Sequence, residues 1–265
     1  MPRSRSGPSS PAPLVGARHP APRPALRAPL RRLHRRLRAH YGPQQWWPAG
    51  TELEMIVGAI LVQNTAWTSA RRALDQLTTR GLLDLPALLR APEVEIAATI
   101  RPSGYFNSKA RKLKAFAALV AQEAGGDLAA LLAKPLAELR PLLLATHGFG
   151  PETADAVCLY AARQPTLVVD AYTRRILERL GWIDPGLSSY ALRDRLMAAL
   201  PVDTATYAEV HALLVIHAKR TCRKQPRCGD CPLLDLCPTG QTLTGLRRPR
   251  RRPPQPIDWS APCRG

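Results

Sequence analysis

The stretch THGFGPETADAV, residues 146–157, sets Gly148 and Gly150 two positions apart, directly before a segment of helical character. Glycine enters left-handed backbone conformations that side chains resist, so such a pair can build a tight hairpin. Its N–H groups, with those at the start of the next helix, form a seat for an anion such as a phosphate. Gly-x-Gly before a helix is also a common turn, so the motif alone assigns no role. Glu152, in the first helical turn, puts a negative charge where a phosphate site would favour a lysine.

Outward from the hairpin the chain is helical. Upstream, ALRAPLRRLHRRLRAHYG spaces Leu30, Leu33 and Leu37 at helical intervals, with arginines on the other faces. TELEMIVGAILVQN opens with Thr51 and Glu54 as a capping box. WTSARRALDQLTTRG is amphipathic up to Gly81, and short segments broken by Pro or Gly lead on to the hairpin. Downstream, AYTRRILERLGW, SSYALRDRLMAAL and ATYAEVHALLVIHAKR carry the same period. The one β-like stretch, PTLVVD, is too short and isolated to found a sheet. The expected fold is all-α, a stack of short helices.

Asp170 ends that apolar run, twenty residues past Gly150, in VVDAY. An acid there can cap the helix that follows or serve as a catalyst, and these residues alone leave both readings open.

Cys222, Cys228, Cys231 and Cys237 form C-x5-C-x2-C-x5-C within 16 residues. A compact thiolate loop gathers metal ligands without help from the rest of the fold. Disulfides do not suit a cytosolic chain. Zinc ribbons use two separated C-x2-C knuckles, whereas one C-x2-C flanked by single cysteines suits one [4Fe-4S] cubane; zinc stays as the rival. Arg223, Lys224 and Arg227 lie in the first cysteine interval, where a clamped loop would present cations to DNA phosphates. Cys158 reads as core, and Cys263 lies in a tail.

The net charge of +18 points to an anionic partner, but it is unevenly placed. Residues 1–40 hold ten Arg and no acid, residues 241–265 six Arg and one acid, and the body between them carries only +3. Segments 1–28 and 239–265 therefore read as disordered basic tails. A transit peptide is the competing reading of the first, against which stand eight prolines in 29 residues. No apolar run approaches the roughly 20 residues that span a bilayer, and no secretory signal is present. The expected location is the cytoplasm of a bacterial cell, with organelle targeting left open.

In order, LVQNT at a helix end, the hairpin entering ETADAV, VVDAY, and HALLVIHAKRTC running into the cysteine loop resemble the helix-hairpin-helix DNA glycosylases of the endonuclease III superfamily, over about residues 44–238. The resemblance implies two helical domains with DNA in the cleft between them. These would be a six-helix barrel over 45–164 and a cluster domain joining 29–44 to 165–238. It implies a [4Fe-4S] cofactor on the four cysteines, double-stranded DNA with a damaged base as partner, a monomer, and Asp170 at the place of the catalytic aspartate. Gly148, Gly150 and Thr153 would grip the DNA backbone.

Lyase-type members carry a lysine two residues after the second glycine, whose amine attacks C1′ of the sugar. Glu152 stands there and cannot form a Schiff base, so a monofunctional enzyme is expected. Asp170 would stabilise an oxocarbenium-like sugar and position or deprotonate water. His147 replaces the usual proline before the first glycine, and the first cysteine interval is five residues rather than six.

WWP, LVQNTAW, IRPSGYFNSKARKL and the Glu-containing hairpin look most like the 3-methyladenine DNA glycosylase III branch. Base chemistry needs an extruded base. Trp46 and Trp47 offer faces for a base alkylated at a ring nitrogen, which is cationic and a good leaving group. Gln63 aligns with the residue that fills the vacated space, and Trp67 is the expected wedge. Lys109 and Arg111, with Tyr105, Phe106 and Lys112, are expected on the DNA-backbone surface. The alternatives are a mismatch glycosylase for adenine or thymine, an endonuclease III-type lyase using another amine, and a non-enzymatic cluster protein.

Overall fold

Thirteen α-helices and no strand occur among the residues that the computed structural model describes, 24–44 and 46–246. In order they are α1 (Pro24–Tyr41), α2 (Glu52–Leu61), α3 (Trp67–Thr79), α4 (Leu85–Arg90), α5 (Glu93–Thr99), α6 (Phe106–Ala124), α7 (Leu128–Leu132), α8 (Leu136–Ala145), α9 (Pro151–Ala156), α10 (Ala171–Arg179), α11 (Ser189–Ala199), α12 (Thr204–Arg220) and α13 (Pro238–Leu243). A π-helical turn, Val157–Ala161, continues α9.

Short polar side chains start many of these helices. Thr51 accepts from the Glu54 N–H at 3.1 Å, while Glu54 reaches back to the Gly50 N–H at 2.8 Å. Asp84, Asp127, Asp170, Ser188 and Asp203 cap α4, α7, α10, α11 and α12 in the same way. Each such cap satisfies helix N–H groups that have no partner within the helix.

Helices α2 to α9 pack as one group around α6, which lies against α4, α5 and α7. Its Lys109 is buried, with Nζ donating to the carbonyls of Leu61 at 2.8 Å and Ser103 at 2.7 Å. The expected DNA-contacting lysine is therefore a structural tie that closes the C-terminal end of α2. Burial, with Lys112 nearby, lowers its pKa to about 8.

α1 packs on α11 and α12, and α10 packs on α12 and α13. The leucine spacing of α1 is explained by burial: Leu26, Leu30, Leu33 and Leu37 are all in the core, while Arg31, Arg32 and Arg35 face out. This helix starts at Pro24, inside the segment expected to be disordered, because Leu26 adds a further turn to the apolar stripe. Likewise α13, capped by Cys237, runs from Pro238 into the first five residues of the expected second tail. The rest of both tails, with Cys263, lies outside the described residues.

The two groups are joined by a buried carboxylate. Asp155 on α9 takes a bidentate pair from Arg140 at 2.7 and 3.1 Å, a bond from Arg193 of α11 at 3.2 Å, and the Thr166 hydroxyl at 3.0 Å. PTLVVD runs between the groups as a buried extended linker, not a strand, and delivers Asp170 to the start of α10. No helix among the described residues is long and apolar enough to cross a membrane.

Candidate active site

The hairpin forms between α8 and α9. Gly148 sits at φ +83, and a Cβ there would lie 2.3 Å from the Lys112 side chain, so both backbone and space require glycine. Gly150 is the extended N-cap residue of α9. Phe149 between them is buried and stacks on Phe116 of α6 at 5.7 Å, which anchors the turn. Thr153 is buried, and its hydroxyl accepts from Gln63 Nε2 at 2.9 Å. Its side chain thus braces the hairpin against the end of α2. Gln63 also takes a bond from Lys112 Nζ, so it must release both partners to fill a space in a duplex.

Asp170 is 8% exposed, and its Oδ1 accepts the Thr173 N–H at 2.7 Å. The cap reading is therefore correct, and it leaves the second oxygen free. That oxygen, Oδ2, faces Nε2 of buried His211 on α12 at 3.8 Å. Nδ1 of the same ring is 2.6 Å from the Tyr160 hydroxyl in the π-helical turn. Burial alone would push the Asp170 carboxyl up, but His211 and the Thr173 N–H more than offset it, and the group is held below its ordinary value. Burial pushes the Tyr160 phenol well above its usual value, so it keeps its proton.

Glu152 lies at the mouth of this cleft, open to water on one side. Burial on the other side and the nearby Asp170 charge both raise its pKa. The two carboxyl groups are thus pushed in opposite directions. Lys219, toward the C-terminal end of α12, also feels Asp170, and burial lowers its pKa. Its Nζ stands 5.7 Å over the ring of Trp46.

The aromatic side chains form one wall. Trp47 meets Trp46 at 5.8 Å, Trp67 at 5.7 Å and Tyr160 at 5.8 Å, all edge-on or tilted. Trp67 lies against Gly58 and Trp47, so it belongs to this wall and does not project as a wedge. The indole N–H groups of Trp46 and Trp47 are buried without partners. The sequence reading missed His211, Tyr160 and Lys219. A histidine or tyrosine on an apolar helix looks like core, and their partners are 41 and 51 residues away.

All four loop cysteines line one pocket with Ile176, Leu180 and Leu233. No three His, Cys, Asp or Glu side chains among the described residues converge closely enough for a single metal ion. Polar hydrogens aim at the sulfurs: Arg179 donates to Cys222 Sγ at 3.2 Å and the Gly240 N–H to Cys237 Sγ at 3.3 Å. A Cβ at Gly240 would lie 3.2 Å from Leu234 and 3.6 Å from Cys228 Sγ. Burial pushes the Cys231 thiol up to about 11. Arg223, Lys224 and Arg227 are exposed, and the first two have carbonyls bound by Arg179. Arg111 is exposed on α6.

Residues 57–201 match the family described as HhH-GPD superfamily base excision DNA repair protein. The chain is 39% identical over 207 residues to a provisionally assigned DNA repair glycosylase of Methanocaldococcus jannaschii, covering 78% of this chain and 94% of that one. It is 29% identical over 157 residues to endonuclease III of Bacillus subtilis, covering 58% and 66%. Among solved structures, an endonuclease III–DNA complex superposes with a TM-score of 0.72 at 21% identity, over 83% of this chain and 98% of the other. A 3-methyladenine DNA glycosylase of H. pylori bound to 1,N6-ethenoadenine superposes at 0.62 and 23% identity, over 74% and 96%. These two likenesses are of fold.

Proposed function

The chain belongs to the HhH-GPD superfamily of base excision DNA repair proteins, a DNA glycosylase, and from that premise we propose a monofunctional enzyme that removes an alkylated base by hydrolysis. The observation that carries this reading is the pairing of a charged, buried Asp170 with Glu152 in place of an amine in the hairpin. Asp170 stabilises positive charge developing on the sugar and receives a proton from the attacking water. A base that is already cationic departs as a neutral molecule without added acid, so the reading asks of Glu152 only that it leave the hairpin without an amine; burial and Asp170 raise its pKa. The Gly148–Gly150 hairpin holds the DNA backbone by its N–H groups, with Arg111, Arg223, Lys224 and Arg227 as further phosphate contacts.

An alkylated base fits the aromatic wall. The Lys219 ammonium over Trp46 already occupies the seat that a cationic base would take. The four-cysteine pocket, with N–H donors directed at its sulfurs, suits a [4Fe-4S] cluster better than one zinc ion. When bound, the cluster would cross-link the loop through Cys222, Cys228, Cys231 and Cys237 and hold its cations in place.

The test uses an oligonucleotide with one 3-methyladenine-like lesion, with product read with and without alkali. Strand breaks only after alkali are expected, and Asp170→Asn should slow base release by about 10³-fold while DNA affinity changes little. A second reading rests on Lys219, the amine beside Asp170. Breaks without alkali, with a borohydride-trapped complex lost in Lys219→Ala, would establish a lyase and overturn the monofunctional proposal.

A further inference from the structure

Three polar side chains from three separate elements, Asp170 among them, meet in one buried cluster. Tyr160 comes from the π-helical turn, His211 from α12 and Asp170 from the start of α10. The Tyr160 hydroxyl is 2.6 Å from His211 Nδ1, and 3.4 Å from the Ala208 carbonyl, its only other acceptor among the described residues. The contact to Nδ1 is the shorter of the two, and with the hydroxyl as donor there Nδ1 carries no proton of its own. The one ring proton of a neutral imidazole then sits on Nε2, the nitrogen 3.8 Å from Asp170 Oδ2. With the Thr173 N–H on Oδ1, a donor faces each carboxylate oxygen.

We propose that Tyr160 and His211 are positioning residues for Asp170: the tyrosine hydroxyl fixes the histidine ring in its Nε2–H form, and that N–H aims the carboxylate and keeps it ionised during base removal.

The proposal rests on the glycosylase reading for the work Asp170 does, but not for the geometry of the relay. Burying a phenol, an imidazole and a carboxyl together costs free energy that apolar side chains would not, so packing alone does not account for them. The other groups around the relay do not replace it. Glu152 from α9 opposes a charge on Asp170, and Lys219 from α12 favours it from the cleft mouth. Burial first, and then the charges of Asp170 and of Glu209 on α12, raise the pKa of the Tyr160 phenol. The relay also touches the base wall, since the Tyr160 ring packs on Trp47.

Two measurements test it, both on the full-length, cluster-loaded chain. The first is a nitrogen-15 spectrum of the histidine rings, with the signal of His211 among the six assigned through His211→Gln. Protonated Nε2 with bare Nδ1 is expected in the wild type, and a mixture of forms in Tyr160→Phe. A wild-type ring protonated on Nδ1, or one unmoved by Tyr160→Phe, overturns the proposal. The second is single-turnover base release against pH. His211→Phe should move the acid limb up by about one pH unit, a roughly tenfold loss below the limb, while His211→Gln, which keeps an N–H donor, should leave it nearly in place. An unmoved limb in His211→Phe, with unchanged melting and affinity for abasic-site DNA, overturns it. If His211→Phe does not fold, Tyr160→Phe carries the comparison. Failure of the wild type to release any base would count against the glycosylase reading alone, because the ring spectrum still decides the relay.

Discussion

At the scale of single residues, the cleft separates two carboxyl groups by their surroundings. Asp170 gains a histidine and a backbone N–H, which hold its pKa below the ordinary value, while burial on one side and a like-charged neighbour raise the pKa of Glu152. Glu152 also marks the position where an amine would change the reaction. Glu152→Lys should therefore give a borohydride-trapped complex with abasic DNA that the wild type does not give, read as a slow-migrating protein band. Absence of the band would mean that the hairpin does not bring this position to the sugar. Asp170 could be singled out from sequence because the family resemblance sets it at the place of the catalytic aspartate, where its position at the end of an apolar run left cap and catalyst both open. His211 and Tyr160 could not, because their role depends on a contact across 51 residues. Lys109 was misread because Arg111 and Lys112 next to it made the whole segment look like a basic surface.

At the scale of elements, stability is concentrated where α8, α9 and α11 meet. Asp155 holds two arginines whose side chains are only 13% and 18% exposed. Removing the carboxylate strands the charge of Arg140 in a poorly solvated place and leaves Arg193 only its pair with Asp194. Asp155→Ala should cost about 3–5 kcal/mol, read as a lower urea midpoint with an unchanged slope. The helices themselves were largely legible, since Pro, Gly and short polar caps mark their ends. What sequence periodicity does not reveal is the π-helical turn after α9, which re-aims Tyr160 toward His211. Nor does it reveal which caps carry chemistry: Asp84, Asp127 and Asp203 cap helices as Asp170 does, and only Asp170 faces a histidine.

At the scale of the whole molecule, charge and fold are distributed differently. The chain carries +18, yet ten of its arginines lie in 1–23 and 247–265, outside the described residues. If those segments touch phosphates, their removal should flatten the dependence of log affinity on log salt, by about 0.9 for each phosphate they neutralise. Base release at saturating enzyme should stay unchanged, because Asp170, Glu152 and the tryptophan wall all lie in the part retained. An equal slope after truncation would assign DNA affinity to the helical body alone.

The placement of α1 bears on how the protein is made. This helix is synthesised well before its partners, for it packs on α11 and α12, and its Arg32 and Arg36 pair with Asp235, some 200 residues later. A ribosome adding ~5–20 residues each second leaves α1 without its partners for roughly ten seconds or more. The apolar stripe of α1 is exposed during that interval, while α2 to α9 can already assemble. His211 arrives on the same late helix that α1 awaits. A nascent chain can therefore form the hairpin before it can complete the chemistry, and the cleft becomes competent only as the first helix is finally covered.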